Sequence, residues 1–421
     1  MITKTTLKQV IYEQRRKPSG AAVMRQVDRK LTDCPEILVI SGVRRCGKST
    51  LLQQIRDTRD ERDYCINFDD ERLIHFTVDD FQMLSEVFME EFGRQTTYYL
   101  DEIQNIAGWE RYVSRLYGGG AKVFVTGSNA NLLSRELGTF LTGRHVTHTL
   151  YPFSFGEFLT ARGVSQDRGM MYTTDGRASL YRLFSEYLHI GGFPQYVFSD
   201  NDNYLASLYN DIIYKDVLVR NNLTNERQIK ELMYYLTSNV GHRFTFNSLA
   251  KQAGIKSADT AKAYVAHIEN TYLIGQLNKF DYSLGVQLRS PKKAYCIDNA
   301  IINRIGFNAT ENTGSLLENA VYIELMRRGC ELYYYAGKGE CDFIIRRGVK
   351  VTEAIQVTVT MDDEKTRKRE TAGLAEAMRA FALSEGIIIT LNDKEETIET
   401  DAGRISIMPV WEWILNAEQA R

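Results

Sequence analysis

The sequence predicts an α/β protein built on a parallel sheet, followed by helical segments and a second, smaller α/β module. Three observations predict this. Strands alternate with helices up to residue 150, a glycine-rich loop joins the first strand to a helix, and a new strand–helix series starts after Gly314. A chain of 421 residues is too long for one ordinary core, and its 43% hydrophobic and 25% charged residues are those of a globular protein.

Short apolar strands fall at residues 37–40, 64–68, 97–100, 122–126 and 146–150, with helical stretches between them, one at 49–55. Their nearly unbroken apolar character suits a sheet covered on both faces. Residues 151–236 read as helical. A helix at 246–253, the turn Gly254-Ile255-Lys256 and a second helix at 257–271 form a helix–turn–helix candidate, with Ser257 as N-cap. Strand-like runs at 273–280 and 293–297 would make a wing. The last module reads as a helix (316–328), three strands (331–335, 341–346, 351–359), a helix (364–384) and a strand (386–391). The expected division is therefore 1–150, 151–236, 237–313 and 314–421.

A formal net charge of -2 exerts no global pull on nucleic acid, so any such binding needs local patches. None of the six cysteines forms a CxxC pair, which fits reduced thiols, and the six histidines lack zinc-site spacing. The N-terminal MITKTTLKQVIYEQRRKP has no apolar signal core, and no stretch approaches the ~20 apolar residues of a membrane span. The expectation is a cytoplasmic protein without a membrane partner.

Gly42-Val43-Arg44-Arg45-Cys46-Gly47-Lys48-Ser49 fits G-x-x-x-x-G-K-[ST], with Thr50 continuing into the helix. Glycines let such a loop curl its N–H groups inward at phosphate oxygens, and the helix adds its positive end. Lys48 would reach the β- and γ-phosphates of ATP, and the Ser49 hydroxyl would ligate Mg2+. The strand Tyr98-Tyr99-Leu100-Asp101-Glu102 sets two carboxylates at its C-terminal end, where open α/β sheets bind ligands. Asp101 would hold Mg2+ through its water shell, and Glu102 would act as general base on the attacking water. A third strand ends in Thr126-Gly127-Ser128-Asn129, where Ser128 and Asn129 are candidates to orient that water. Arg144, just before the last strand, is a candidate arginine finger for a neighbouring subunit.

Together these residues resemble an AAA+-type ATPase. The strings GVRRCGKSTLL, YLDEIQ, VTGSNA, YPFSFGEFL and YLHIGGFPQYV resemble a widespread prokaryotic family of ATP-binding proteins that join an AAA-type core to a C-terminal domain of unknown function. The resemblance implies that Asp101's strand lies beside the phosphate loop. It also implies a helical lid in which Gly191-Gly192-Phe193-Pro194 packs on adenine, with Pro194 as the contact.

The helix–turn–helix resembles a winged-helix domain, which makes DNA a candidate partner. Its second helix carries one lysine against two acids, whereas groove readers bring Arg, Lys, Asn or Gln to base edges. Arg289, Lys292 and Lys293 in the wing are the candidates for phosphate contact. The C-terminal module resembles a restriction-endonuclease-like fold. By that resemblance Asp342 and Glu353-Ala354-Ile355-Gln356 stand for its metal motif, Gln356 replacing the expected lysine, with Glu318 completing the site. The charged run 362–370 reads as a solvated helix face.

The expected function is Mg2+-dependent ATP hydrolysis coupled to conformational change, with DNA, a second copy or another protein as partner. The alternatives are an ATP-gated nuclease and a switch that holds ATP without hydrolysing it.

Overall fold

The computed structural model describes residues 2–16, 23–128, 141–165, 167–307 and 312–419. The chain divides into two compact units, Met1–Leu150 and Tyr151–Arg421.

In the first unit, β1 (Ile37–Ser41), β2 (Tyr64–Asn67), β3 (Thr97–Asp101), β4 (Lys122–Gly127) and β5 (His145–Thr149) form one parallel sheet in the order β2-β3-β4-β1-β5. Their apolar residues bury a core of Ile37, Val39, Ile66, Leu100, Val123 and Val125. Helix Phe81–Phe92 adds Leu84, Val87 and Phe88, and Tyr112 stacks on Phe81 at 4.1 Å. Helix Lys4–Arg15 buries Leu7, Val10 and Ile11 and pairs Lys4 and Lys8 with Glu90 and Glu91. The position of β4 corrects one expectation, because it lies between β1 and β3. The Asp101 strand is therefore not the neighbour of the phosphate-loop strand, and the tip of β4 comes between them.

The second unit starts with helices, among them Phe155–Ala161, Thr174–Ile190 and Glu226–Ser238, and a π-helical stretch at Ile212–Val219. Next come β6 (Arg243–Phe244), helices Phe246–Gln252 and Ala258–Glu269, β7 (Ile274–Lys279) and β8 (Lys292–Cys296). Ser257 caps the second helix, its hydroxyl accepting from Thr260 N at 3.1 Å. Helix Thr313–Arg327 leads to β9 (Glu331–Ala336), β10 (Glu340–Arg347) and β11 (Lys350–Val357). Helix Glu364–Phe381, β12 (Glu385–Thr390), β13 (Glu396–Thr400), β14 (Gly403–Pro409) and helix Val410–Gln419 complete the unit.

All nine strands belong to a single mixed sheet, ordered β13-β14-β12-β11-β10-β9-β7-β8-β6. The parallel pairing of β7 with β9 joins the wing strands to the C-terminal ones. Apolar residues of β10–β12 and helix Glu364–Phe381 share a core that includes Ile344, Ala354, Leu374, Met378 and Ile388. No helix among the described residues is long and apolar enough to cross a membrane.

Candidate functional site

The phosphate loop takes the backbone its glycines permit. Gly42 has φ +147° and Gly47 φ +102°, and a Cβ on Gly42 would lie 2.2 Å from the Leu150 carbonyl oxygen. Arg45 also lies in the left-handed region, at φ +66°. Gly47 opens the helix Lys48–Asp57, so the helix N-terminus faces the loop. Val43 and Cys46 point into the core, and burial pushes the Cys46 thiol up. Lys48 is buried, its ammonium donating to the carbonyls of Gly42 (3.2 Å) and Val43 (3.1 Å). A residue the motif does not contain, Arg25, donates to the Cys46 carbonyl at 2.5 Å.

Asp101 is where four elements meet. Its Oδ1 accepts from Ser49 (3.1 Å) and Thr126 (2.5 Å), and its Oδ2 from Asn67 (2.6 Å). Burial, then the charge of Glu102, raises its pKa to about 6, while Thr126, Ser49 and Lys48 act the other way. Glu102 sits just beyond the strand at φ +52° and ψ 38°, its N–H donating to Thr126 Oγ1 at 2.9 Å. The Gln104 side-chain amide donates to the Glu102 carboxylate. A hydroxyl and a buried carboxylate converging at the helix start form a hard-oxygen donor pair suited to Mg2+.

Ser128 lies at the tip of β4 with its hydroxyl buried and lacking a hydrogen-bond partner among the described residues. Asn129 falls outside the described residues. Arg144 is exposed and donates to Ser114 at 3.1 Å. It precedes the β5 residue paired with Ile37, so it sits at the end of the strands opposite the loop, which follows Ser41. Pro194 begins helix Pro194–Ser199. Before it, a Cβ on Gly191 would lie 1.8 Å from Asp298 Oδ1, and Gly192 N donates to Asp298 Oδ2 at 2.7 Å. Asp298 thus anchors the start of this segment, a contact no local motif announces. Sequence reasoning also missed Asn67 and Thr126, which lie on other strands, and Gln104, in the 3-10 turn Ile103–Asn105 just after Glu102.

The C-terminal acids divide. Glu318, Asp342 and Gln356 line a cavity of about 600 Å3, and Glu353 does not. Residues 353 and 356 on β11 differ by an odd number, so their side chains leave opposite faces of the sheet. Glu353 pairs instead with Arg347 at 3.0 Å. Gln356 accepts from Asp342 N (3.2 Å) and donates to Glu370 (2.7 Å). Glu370 is buried and also meets Arg369, so this part of the charged run turns inward rather than facing solvent. Lys292 and Lys293 are buried too, Lys292 donating to Asn278 at 2.6 Å, which leaves only Arg289 of the wing trio exposed. No group of three or more acids, histidines or cysteines among the described residues is arranged to hold a metal.

The curled loop, the lysine–serine pair and the strand-tip acids define a P-loop nucleotide-binding protein. Residues 35–159 match the family described as AAA domain, and residues 181–311 match one described as a domain of unknown function, DUF8612. An uncharacterized Methanocaldococcus jannaschii protein, MJ1544, is 32% identical over 90% of this chain and 88% of its own length. An uncharacterized Haemophilus influenzae protein is 32% identical over 91% and 95%. The chain belongs to the family of these archaeal and bacterial proteins. Among solved structures it is similar to AMPPCP-bound DnaA from Aquifex aeolicus (TM-score 0.23, 14% identity, 57% of this chain and 84% of that one). It is also similar to Cdc6p from Pyrobaculum aerophilum (TM-score 0.26, 10% identity, 65% and 91%).

Proposed function

We propose that the protein binds ATP with Mg2+ at residues 42–50 and hydrolyses it, using the cycle to change its own conformation. The observation that carries this reading is the convergence of Ser49, Thr126 and Asn67 on Asp101, with Glu102 held beside it by Thr126. Loop N–H groups and the Lys48 ammonium grip phosphate oxygens. Ser49 and Asp101 would hold Mg2+, which would supply charge neutralisation on those oxygens. Glu102 takes the proton of the attacking water, and Ser128 orients that water. We assign Arg144 to the nucleotide of a neighbouring copy, an assignment its exposure at the strand ends away from its own loop supports.

Phosphate release by wild type, Lys48→Ala and Glu102→Gln tests the proposal. The expected result is turnover in the wild type alone, with ATP still bound by Glu102→Gln. Equal turnover in all three would remove the mechanism. The Gln104 amide on Glu102 favours a second reading, a switch that retains ATP without cleaving it. Tight ATP retention with no phosphate release by the wild type would select that reading. The exposed face of helix Ala258–Glu269 offers Asp259 and Lys262, and two wing lysines are buried, so DNA contact gains no support from charge.

A further inference from the structure

The C-terminal cavity holds a second group of acids, and it already contains a cation. Lys293 reaches it from β8, a strand three places from β10 in the sheet order, because the sheet curls enough to bring the two together. Its side chain is 4% exposed. Its ammonium lies 3.0 Å from each of Glu318 Oε1, Glu340 Oε1 and Asp342 Oδ1. The ammonium donates to Glu318 and Asp342 and is ion-paired with Glu340.

We propose that the Lys293 ammonium is the resident cation of this carboxylate cluster, standing where a divalent ion would otherwise bind, and that the cluster therefore takes up no metal in the native chain.

The remaining contacts fit that assignment. Asp342 Oδ2 accepts from Val357 N at 3.1 Å, Glu340 Oε2 from Arg243 at 2.7 Å, and Glu318 Oε1 also from the Tyr295 hydroxyl at 2.6 Å. These lone pairs are occupied by groups of the chain itself. Mg2+ asks for near-octahedral oxygen ligands at about 2.0–2.1 Å, and to gain them it would have to expel an ammonium tethered to a strand. Gln356, standing where the motif would have a lysine, brings neither a carboxylate nor a cation to the cluster. Burial alone would lower the Lys293 pKa, but Asp342, Glu318 and Glu340 raise it, so the side chain stays charged. Burial, then the charge of Asp342, raises Glu318 to about 7, as expected where acids outnumber the cation they share.

Two consequences follow. The cavity does not carry out metal-dependent cleavage of phosphodiesters. Lys293 also becomes a charged tie between the wing strand β8 and the acids on β10 and helix Thr313–Arg327.

The test is Mn2+ uptake by the nucleotide-free full chain, followed by equilibrium dialysis and thermal melting, for wild type, Asp342→Asn, Lys293→Met and Lys293→Met/Asp342→Asn. The wild type is expected to bind no Mn2+ below millimolar concentration and to melt at an unchanged temperature. Lys293→Met should melt on the order of 10 °C lower. It should gain one Mn2+ per chain, recover part of its melting temperature on binding, and lose both gains in the double variant. Uptake by the wild type that Asp342→Asn abolishes would overturn the proposal, as would a folded Lys293→Met that binds nothing. If Lys293→Met does not fold, the wild type and Asp342→Asn decide alone: no uptake supports the resident ammonium, and Asp342-dependent uptake overturns it.

Discussion

At the tip of β3, Asp101 and Glu102 lie near a lysine whose ammonium goes to the loop carbonyls instead. In the C-terminal cavity, Glu318, Glu340 and Asp342 close around a lysine that turns in to meet them. Asp101 and Asp342 are buried and Glu102 and Glu340 half-buried, yet the two groups meet their charge differently. Among the described residues Asp101 accepts from the neutral groups of Ser49, Thr126 and Asn67, so its charge is solvated but not cancelled. Its raised pKa registers the shortfall. A carboxylate in that condition is suited to an ion arriving with a ligand, and one already paired with an ammonium is not. The location of the lysine, more than the number of acids, separates a site built for exchange from one built to hold the fold.

Substitutions can break that comparison, and the largest effects belong at the loop. Glu102→Gln is expected to keep ATP binding and lose about 100- to 1,000-fold in turnover, and Lys48→Ala to lose binding as well, measured by phosphate release and nucleotide titration. Stability should order the two lysines the other way. Lys293→Met strands three acids and should cost roughly 3–5 kcal/mol in denaturant unfolding. Lys48→Met, which leaves two buried loop carbonyls but no carboxylate without their partner, should cost less, about 1–3 kcal/mol. Equal losses would mean that the two ammonium groups do the same job.

The pH response sharpens the contrast further. Because the folded Asp101 pKa lies near 6, above its ordinary value, the native state binds the extra proton between about pH 4 and 6. Asp101's contribution to stability therefore falls as pH rises through that window. Mg2+-dependent ATP binding should move in the opposite direction, about tenfold weaker at pH 5 than above pH 7, and Asp101→Asn should flatten the profile. The smallest effect is expected at Ser128. Its buried hydroxyl has no hydrogen-bond partner among the described residues, so Ser128→Ala should melt close to wild type while turnover falls a few-fold.

The loop was readable because its parts are consecutive and its glycines answer to local geometry. Asp101 and Glu102 were readable from their place at a strand end. Asn67, Thr126 and Arg25 were not, since β2, β4 and the segment before β1 reach the site only through the strand order. β4 itself was visible as a strand, but nothing in its sequence says that it lies between β1 and β3. The C-terminal reading fails at Glu353 because it stands three residues before Gln356, and the two-residue period of a strand sends the two side chains to opposite faces. It also missed Lys293 and Glu370, residues that read as wing and surface charges until a curled sheet and an inward-facing helix position bring them to Asp342 and Gln356.

The most direct measurement is the number of Mn2+ ions bound per chain, by electron paramagnetic resonance, with and without a non-hydrolysed ATP analogue. The expected count is none without nucleotide and one with it, that one disappearing in Asp101→Asn and unaffected by Asp342→Asn. A second ion that depends on Asp342, or no ion with the analogue bound, would contradict the assignment of one set of acids to an arriving metal and the other to a resident lysine.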